Sequence, residues 1–129
     1  MNRIFSAIIL FILFSCTDDL SLTDQEVLVS SGWKIDYVLK DGARMNSSCM
    51  EDDCYTFRND GSFSISRGNI YCVENEPASG SYWFYDKETI VINYNGERIY
   101  YKIFVYSKEL ILVNELAGSR MVYDYVKCQ

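Results

Sequence analysis

From residue 54 onward, hydrophobic and polar side chains alternate in short runs separated by turn residues. Tyr55 and Phe57 alternate with Cys54, Thr56 and Arg58, and Phe63 and Ile65 alternate with Ser62, Ser64 and Ser66. Asn59-Asp60-Gly61 between these runs has hairpin-turn chemistry. Upstream, Trp33, Ile35, Tyr37 and Leu39 share one parity while Lys34, Asp36 and Lys40 take the other, the period of a half-buried strand ended by Asp41-Gly42. Residues 43–53 read as a polar loop, and 68–79 as a second loop containing Pro77. Further strands are predicted at 80–85, 89–95, 98–106, 109–115 and 120–127. Their separators are Asp86-Lys87-Glu88, Asn95-Gly96, Ser107-Lys108 and Ala117-Gly118-Ser119. Links this short join antiparallel neighbours. Ahead of the first strand, Thr23 and Glu26 have capping-box spacing, and Leu22 and Val27 have that of a hydrophobic staple. They predict a short helix that ends at Ser30-Ser31-Gly32.

Eight strands in meander order with no crossover helix predict an all-β, eight-stranded antiparallel up-and-down barrel with a short N-terminal helix. Closure removes the exposed edges of such a meander, whereas a sandwich needs longer links. An eight-stranded barrel encloses packed side chains or one small ligand. The inward set is predicted as Trp33, Ile35, Tyr37, Tyr55, Phe57, Phe63 and Ile65, joined by Ile90, Ile92, Tyr94, Ile99, Tyr101, Ile103, Leu110 and Leu112. Two readings of this set stand side by side. One is a core sealed by its own bulk. The other is a cup whose tyrosines offer hydroxyls to a partly apolar molecule. For the cup, the candidate ligand-binding residues are Trp33, Tyr37, Tyr55, Phe57, Phe63, Tyr94 and Tyr101. Tyr100, Phe104 and Tyr106 fall on the opposite parity of their strand, where they predict an aromatic contact surface for a protein or glycan.

The first 15 residues follow a different pattern. Arg3 precedes the apolar run from Ile4 to Phe14, and Ser15 and Cys16 follow it. A bilayer-spanning helix needs about 20 apolar residues, so this run reads as a secretory signal. Leu13-Phe14-Ser15-Cys16 resembles the lipobox of bacterial lipoproteins. That resemblance implies cleavage before Cys16, acylation of Cys16 with fatty acid such as palmitate, and attachment to a membrane through this lipid. Residues 16–21 then form the acylated cysteine and a short tether, with the domain in 22–129. Asp18-Asp19 behind the cysteine resembles the surface-export signal of Bacteroidetes lipoproteins, which implies an outer-membrane protein exposed at the cell surface. The alternative is a plain soluble linker.

Composition narrows the function. The net charge is −6 with no histidine, and loss of Arg3 with the signal makes the remainder more acidic. Such a domain lacks the basic surface that binds nucleic acid or adsorbs to anionic lipid. Without histidine, Ser-His and Cys-His nucleophile systems are excluded. No phosphate-cradling glycine loop is present, and neither an enzyme nor a cofactor is expected. Glu51-Asp52-Asp53 lacks the alternating ligands of a calcium loop and reads as a solvated loop. Export places Cys49, Cys54, Cys72 and Cys128 in an oxidising compartment, where they pair in one of three ways. A zinc site is the rival, although paired knuckles are missing.

Two segments carry a resemblance that spans roughly 30–126. Gly32-Trp33 opens the first strand as the glycine–tryptophan element does in lipocalins. Cys49-Met50-Glu51-Asp52-Asp53-Cys54-Tyr55-Thr56-Phe57-Arg58-Asn59-Asp60-Gly61, followed by Cys72 and Gly80-Ser81-Tyr82-Trp83, resembles the lipocalin-like lipoproteins of Bacteroidetes-type bacteria. The resemblance implies a lipocalin-like barrel and a Cys49–Cys72 disulfide, with Cys54–Cys72 as the competing pairing. Cys54 and Cys128 lie outside the family pattern and are available for a second bridge. Tyr82 stands where the family has a strand tryptophan, which leaves the inward parity of that strand open between Tyr82 and Trp83. The function expected is non-catalytic binding of a small hydrophobic or amphipathic ligand in the barrel. A structural or interaction module acting through the outer face is the alternative, and inhibition of a secreted hydrolase is a weaker analogy.

Overall fold

The computed structural model describes residues 23–45, 48–70, 72 and 76–128. The expected signal, the tether, Cys16, Asp18-Asp19 and the staple residue Leu22 lie outside them. Helix α1 spans Asp24–Val29, and both halves of its capping box form: Glu26 N donates to the Thr23 hydroxyl (3.3 Å) and Thr23 N to Glu26 Oε2 (2.7 Å). The strands are β1 (Gly32–Lys40), β2 (Ala43–Arg44), β3 (Cys54–Phe57), β4 (Ser62–Ser66), β5 (Ser79–Phe84), β6 (Thr89–Tyr94), β7 (Glu97–Val105), β8 (Glu109–Leu116) and β9 (Ser119–Lys127), with a one-turn helix α2 (Ser48–Glu51) before β3. All pairings are antiparallel. Strands β1 and β3–β9 run in up-and-down order, and β1 pairs with both β3 and β9, which closes an eight-stranded barrel. The expected fold class is observed. The expected loop at 43–53 is not wholly irregular: β2 folds back on β1, and α2 sits before β3.

The turns follow from their residues. Asp41-Gly42, Asn95-Gly96 and Ala117-Gly118 each place two successive residues at positive φ, the conformation whose twist matches a two-residue hairpin. These turns rim one end of the barrel. At the opposite end, α1 lies across the opening. Leu28 and Trp33 there are fully buried, and the Trp33 indole N–H donates to the Leu28 carbonyl at 2.9 Å. Phe57, Phe63, Tyr82, Ile90, Ile103 and Leu110 belong to the same core. Tyr82 is the inward residue of β5, packed edge-on against Phe57, while Trp83 faces out with Arg98 over its ring. Gly80 permits this packing, since a Cβ there would lie 2.5 Å from the Phe63 ring.

The cysteines form two disulfides, Cys49–Cys72 and Cys54–Cys128. The pairing implied by the family resemblance is present, and the Cys54–Cys72 and zinc alternatives are overturned. Loops of 23 and 74 residues correspond to about 3 and 4 kcal/mol of lost unfolded-chain entropy. The second bridge crosses the outside of β1 at Gly32. A Cβ on Gly32 would lie 2.6 Å from Cys54 Sγ, so the glycine makes room for the crossing.

One expected inward residue is corrected. The β1–β9 register shifts between Ile35, opposite Tyr125, and Tyr37, opposite Asp124. This bulge flips the parity of β1. Val38, not Tyr37, enters the core, and Tyr37 stands outside with Arg44 stacked on its ring. Its hydroxyl faces Asp124, which is only 1% exposed although it lies on the outer face of β9. Oδ2 of Asp124 has no hydrogen-bond donor among the described residues. Burial and the neighbouring Glu109 carboxylate push Asp124 up to about 7, against the Tyr37 hydroxyl, which pulls it down. Asp124 therefore holds its proton more tightly folded than unfolded. Its stability contribution is full in acid and is lost as pH rises through neutrality. Asp124→Asn should raise the urea midpoint above wild type at pH 8, by about 1 kcal/mol for relief of an unpaired buried acceptor. That advantage should shrink as the pH falls from about 7 towards 3.8, the range between Asp124's folded and ordinary values.

Candidate functional site

The barrel interior divides into two halves. Below, around Trp33, Ile90, Ile103 and Leu110, it is filled. Above, it opens into a cavity of about 320 Å³. Each sequence reading of the interior thus describes one half. The cavity walls alternate by strand, because residues two apart share a face. Tyr55 and Phe57 come from β3, Phe63 from β4, Ile92 and Tyr94 from β6, Ile99 and Tyr101 from β7, Leu112 from β8, and Tyr123 and Tyr125 from β9. Ile35 and Met50 complete the apolar wall, and Glu76, Asn95 and Glu97 stand at the mouth. Another concavity, about 600 Å³, is lined by Thr23–Gln25, Phe84, Asp86 and Lys87. It is a shallower surface outside the barrel with a single aromatic.

Of the predicted ligand-binding residues, Tyr55, Phe57, Phe63, Tyr94 and Tyr101 line the cavity together. Trp33 does not. It is the floor beneath the cavity, and its one polar atom is already used by Leu28. Tyr37 is excluded by the β1 bulge. Cys16 lies outside the described residues. Tyr123 and Tyr125 were not among the predicted residues, although Asp124 between them marks the outward parity of β9 and could have identified both. Glu76, Asn95 and Glu97 carry no sequence signal for this role, because loop geometry places them.

The tyrosines stand in edge-on pairs: Tyr55 with Tyr125 at 5.8 Å and Tyr101 with Tyr123 at 6.0 Å between ring centroids. Burial raises all four phenols, Tyr55 to about 12 and Tyr125 well above its ordinary value. The carboxylates of Asp53 and Glu76 add to the rise at Tyr55, and Glu97 adds at Tyr101. The lining is therefore neutral phenol at physiological pH, unsuited to act as a base. Among the described residues, none of these four hydroxyls has a hydrogen-bond partner. All four residues line the cavity. Tyr94 differs: its hydroxyl donates to the Pro77 carbonyl (2.7 Å) and accepts from Arg67 (2.8 Å).

Arg67 is the knot that shapes this side of the mouth. Nη1 reaches Asp53 at 3.1 Å and Glu76 at 3.2 Å, and Nη2 donates to the Pro77 carbonyl at 2.7 Å. Asp53, only 5% exposed, also accepts from Gly68 N, while Asp52 accepts from Ile70 N. This corrects the solvated-loop reading of residues 51–53, because Asp52 and Asp53 are structural acceptors that join the start of β3 to the end of β4. Among the described residues, no three Cys, Asp or Glu side chains converge as metal ligands would.

No family model matches the chain, and no curated protein matches it. Among solved structures, it is similar to a deswapped triple mutant of bovine odorant binding protein. The TM-score is 0.46 at 15% sequence identity, over 78% of this chain and 74% of that one. A likeness of that degree assigns neither a family nor a ligand, and the barrel rests on its own strand pairing.

Removing Arg67 leaves Asp53 as a buried charge without its counterion. Arg67→Met should cost about 3 kcal/mol in chemical denaturation. Adding Asp53→Asn to that variant should recover a substantial part, because the orphaned charge is gone.

Proposed function

We propose that this protein is a lipid-anchored, lipocalin-like binding protein of a bacterial outer membrane that holds a small, partly apolar molecule in its barrel without transforming it. The carrying observation is the half-hollow interior, an apolar cup lined by four tyrosines whose hydroxyls have no partner among the described residues. Pockets that bind small molecules share this build: apolar walls with a few polar groups to fix orientation. A non-catalytic role is supported by what lines the cup. The phenols are held protonated, and the chain has no histidine to activate a nucleophile. Attachment through acylated Cys16 is supported by the apolar run, Ser15 and the lipobox-like quartet, and surface exposure by Asp18-Asp19. Two disulfides suit an exported domain.

A second reading has its own observation. Trp83, Tyr85, Tyr100, Phe104 and Tyr106 are exposed on the outer face, with Tyr85 edge-on to Tyr100. Trp83, Val91 and Tyr100 are cross-strand neighbours, and Val91 is fully buried beneath the aromatics. This patch would serve contact with an envelope protein or glycan.

The uncharged fluorophore N-phenyl-1-naphthylamine should bind the purified, oxidised protein with a blue-shifted, saturable signal. Ile99→Trp, which fills the cup, should weaken it at least tenfold. A saturable signal unaffected by Ile99→Trp would move binding out of the cup and leave the outer face as the better reading. In cells, Cys16→Ala should move the protein from the membrane fraction to the soluble fraction, and unchanged fractionation would refute the anchor.

A further inference from the structure

The charge on the cup's lining is one-sided. Its formally charged members are Glu76 and Glu97, and no Lys or Arg belongs to it. The nearby cation, Arg67, stands behind the wall and is engaged by Asp53, Glu76, the Pro77 carbonyl and the Tyr94 hydroxyl. Glu97 takes part in none of the ion pairs among the described residues. Below it lie aromatic rings from five strands, whose faces carry negative charge density.

We propose that the cup is selective for organic cations: molecules with an ammonium head that lodges among Tyr55, Tyr101, Tyr123 and Tyr125 beneath Glu97, and an apolar body that lies on Ile92, Ile99 and Leu112. This rests on the reading of the cup as a ligand site and adds the ligand's chemical class. Tyrosine faces attract a cation, and tyrosine oxygens turn their lone pairs toward it. An anion entering the same space would pass two carboxylates, and the nearby cation, Arg67, is already engaged by Asp53 and Glu76. Burial is the main cause that raises these phenols and it opposes charge of either sign, but the smaller contributions of Asp53 and Glu76 at Tyr55 and of Glu97 at Tyr101 have the sign that favours a cation. The net charge of −6 adds a long-range field of the same sign.

The test uses the full disulfide-bonded domain and three ligands of one shape: phenyltrimethylammonium, its uncharged isostere tert-butylbenzene, and the anion benzenesulfonate. Each is titrated as a competitor of N-phenyl-1-naphthylamine. The expected result is displacement by the cation at concentrations at least tenfold lower than either of the others. Glu97→Gln, at an exposed hairpin position, should lower that preference at least threefold, and Glu97→Lys further. Equal or tighter binding of the neutral or anionic ligand would overturn the cation assignment and leave the cup as a binding site. So would a preference unmoved by both Glu97 variants. Failure of the fluorophore and all three ligands to bind would overturn the cup reading and the cation assignment together.

Discussion

The barrel depends on hydrogen bonding between its first and last strands. Seven residue pairs join β1 to β9. Without them, the meander would be an open sheet with two unsatisfied edges. The same seam sorts the interior. Its bulge sends Ile35 and Val38 inward and Tyr37 outward, so a phenol that would have occupied the cup covers Asp124 instead. The hollow in the upper half therefore owes part of its volume to an irregularity in the strand pairing.

The two ends of the barrel are built on different physics. The α1 end is apolar and closed. Trp33, Leu28 and the rings of Phe57, Phe63 and Tyr82 fill it, with the single indole N–H satisfied by a backbone carbonyl. At the other end, charge and hydrogen bonds take over. Arg67 gathers Asp53, Glu76, Pro77 and Tyr94, and Asp41 ties the β1–β2 turn to the β8–β9 hairpin by accepting from Arg120 N and Ser119. Polar ties hold a rim in shape without filling the space beneath it, which is how a packed core and a cavity coexist in one small barrel.

Much of the fold was legible in the chain. Period-two alternation placed all eight barrel strands to within a residue or two, because each is half-buried and flanked by turn chemistry such as Asn95-Gly96. The bulge in β1 was not legible. Trp33, Ile35, Tyr37 and Leu39 keep perfect alternation, and Val38 on the other parity is equally apolar, so nothing in the residues marks where the register slips. The buried role of Asp53 was hidden in the same way. A carboxylate in a run of three looks solvated until Arg67, 14 positions on, is folded against it. Five of the seven predicted ligand-binding residues do line the cavity, since parity alone determines which side of a strand faces in. Whether the interior is filled or hollow depends on the summed side-chain volume against the barrel's bore, a quantity no local pattern expresses.

The bridge over Gly32 has a mechanical consequence. Cys54 opens the strand on one side of β1 and Cys128 follows the strand on the other, so the neighbours that flank β1 are bolted to each other at the point where the chain enters the barrel. Tension on the N-terminal side of the domain would load β1 along its length, in shear between two strands that cannot spread apart. Peeling, the low-force route by which a terminal strand leaves a sheet one bond at a time, is closed to it while the strap is intact. Reduction of that one bond would change the domain's resistance to pulling more than its resistance to heat.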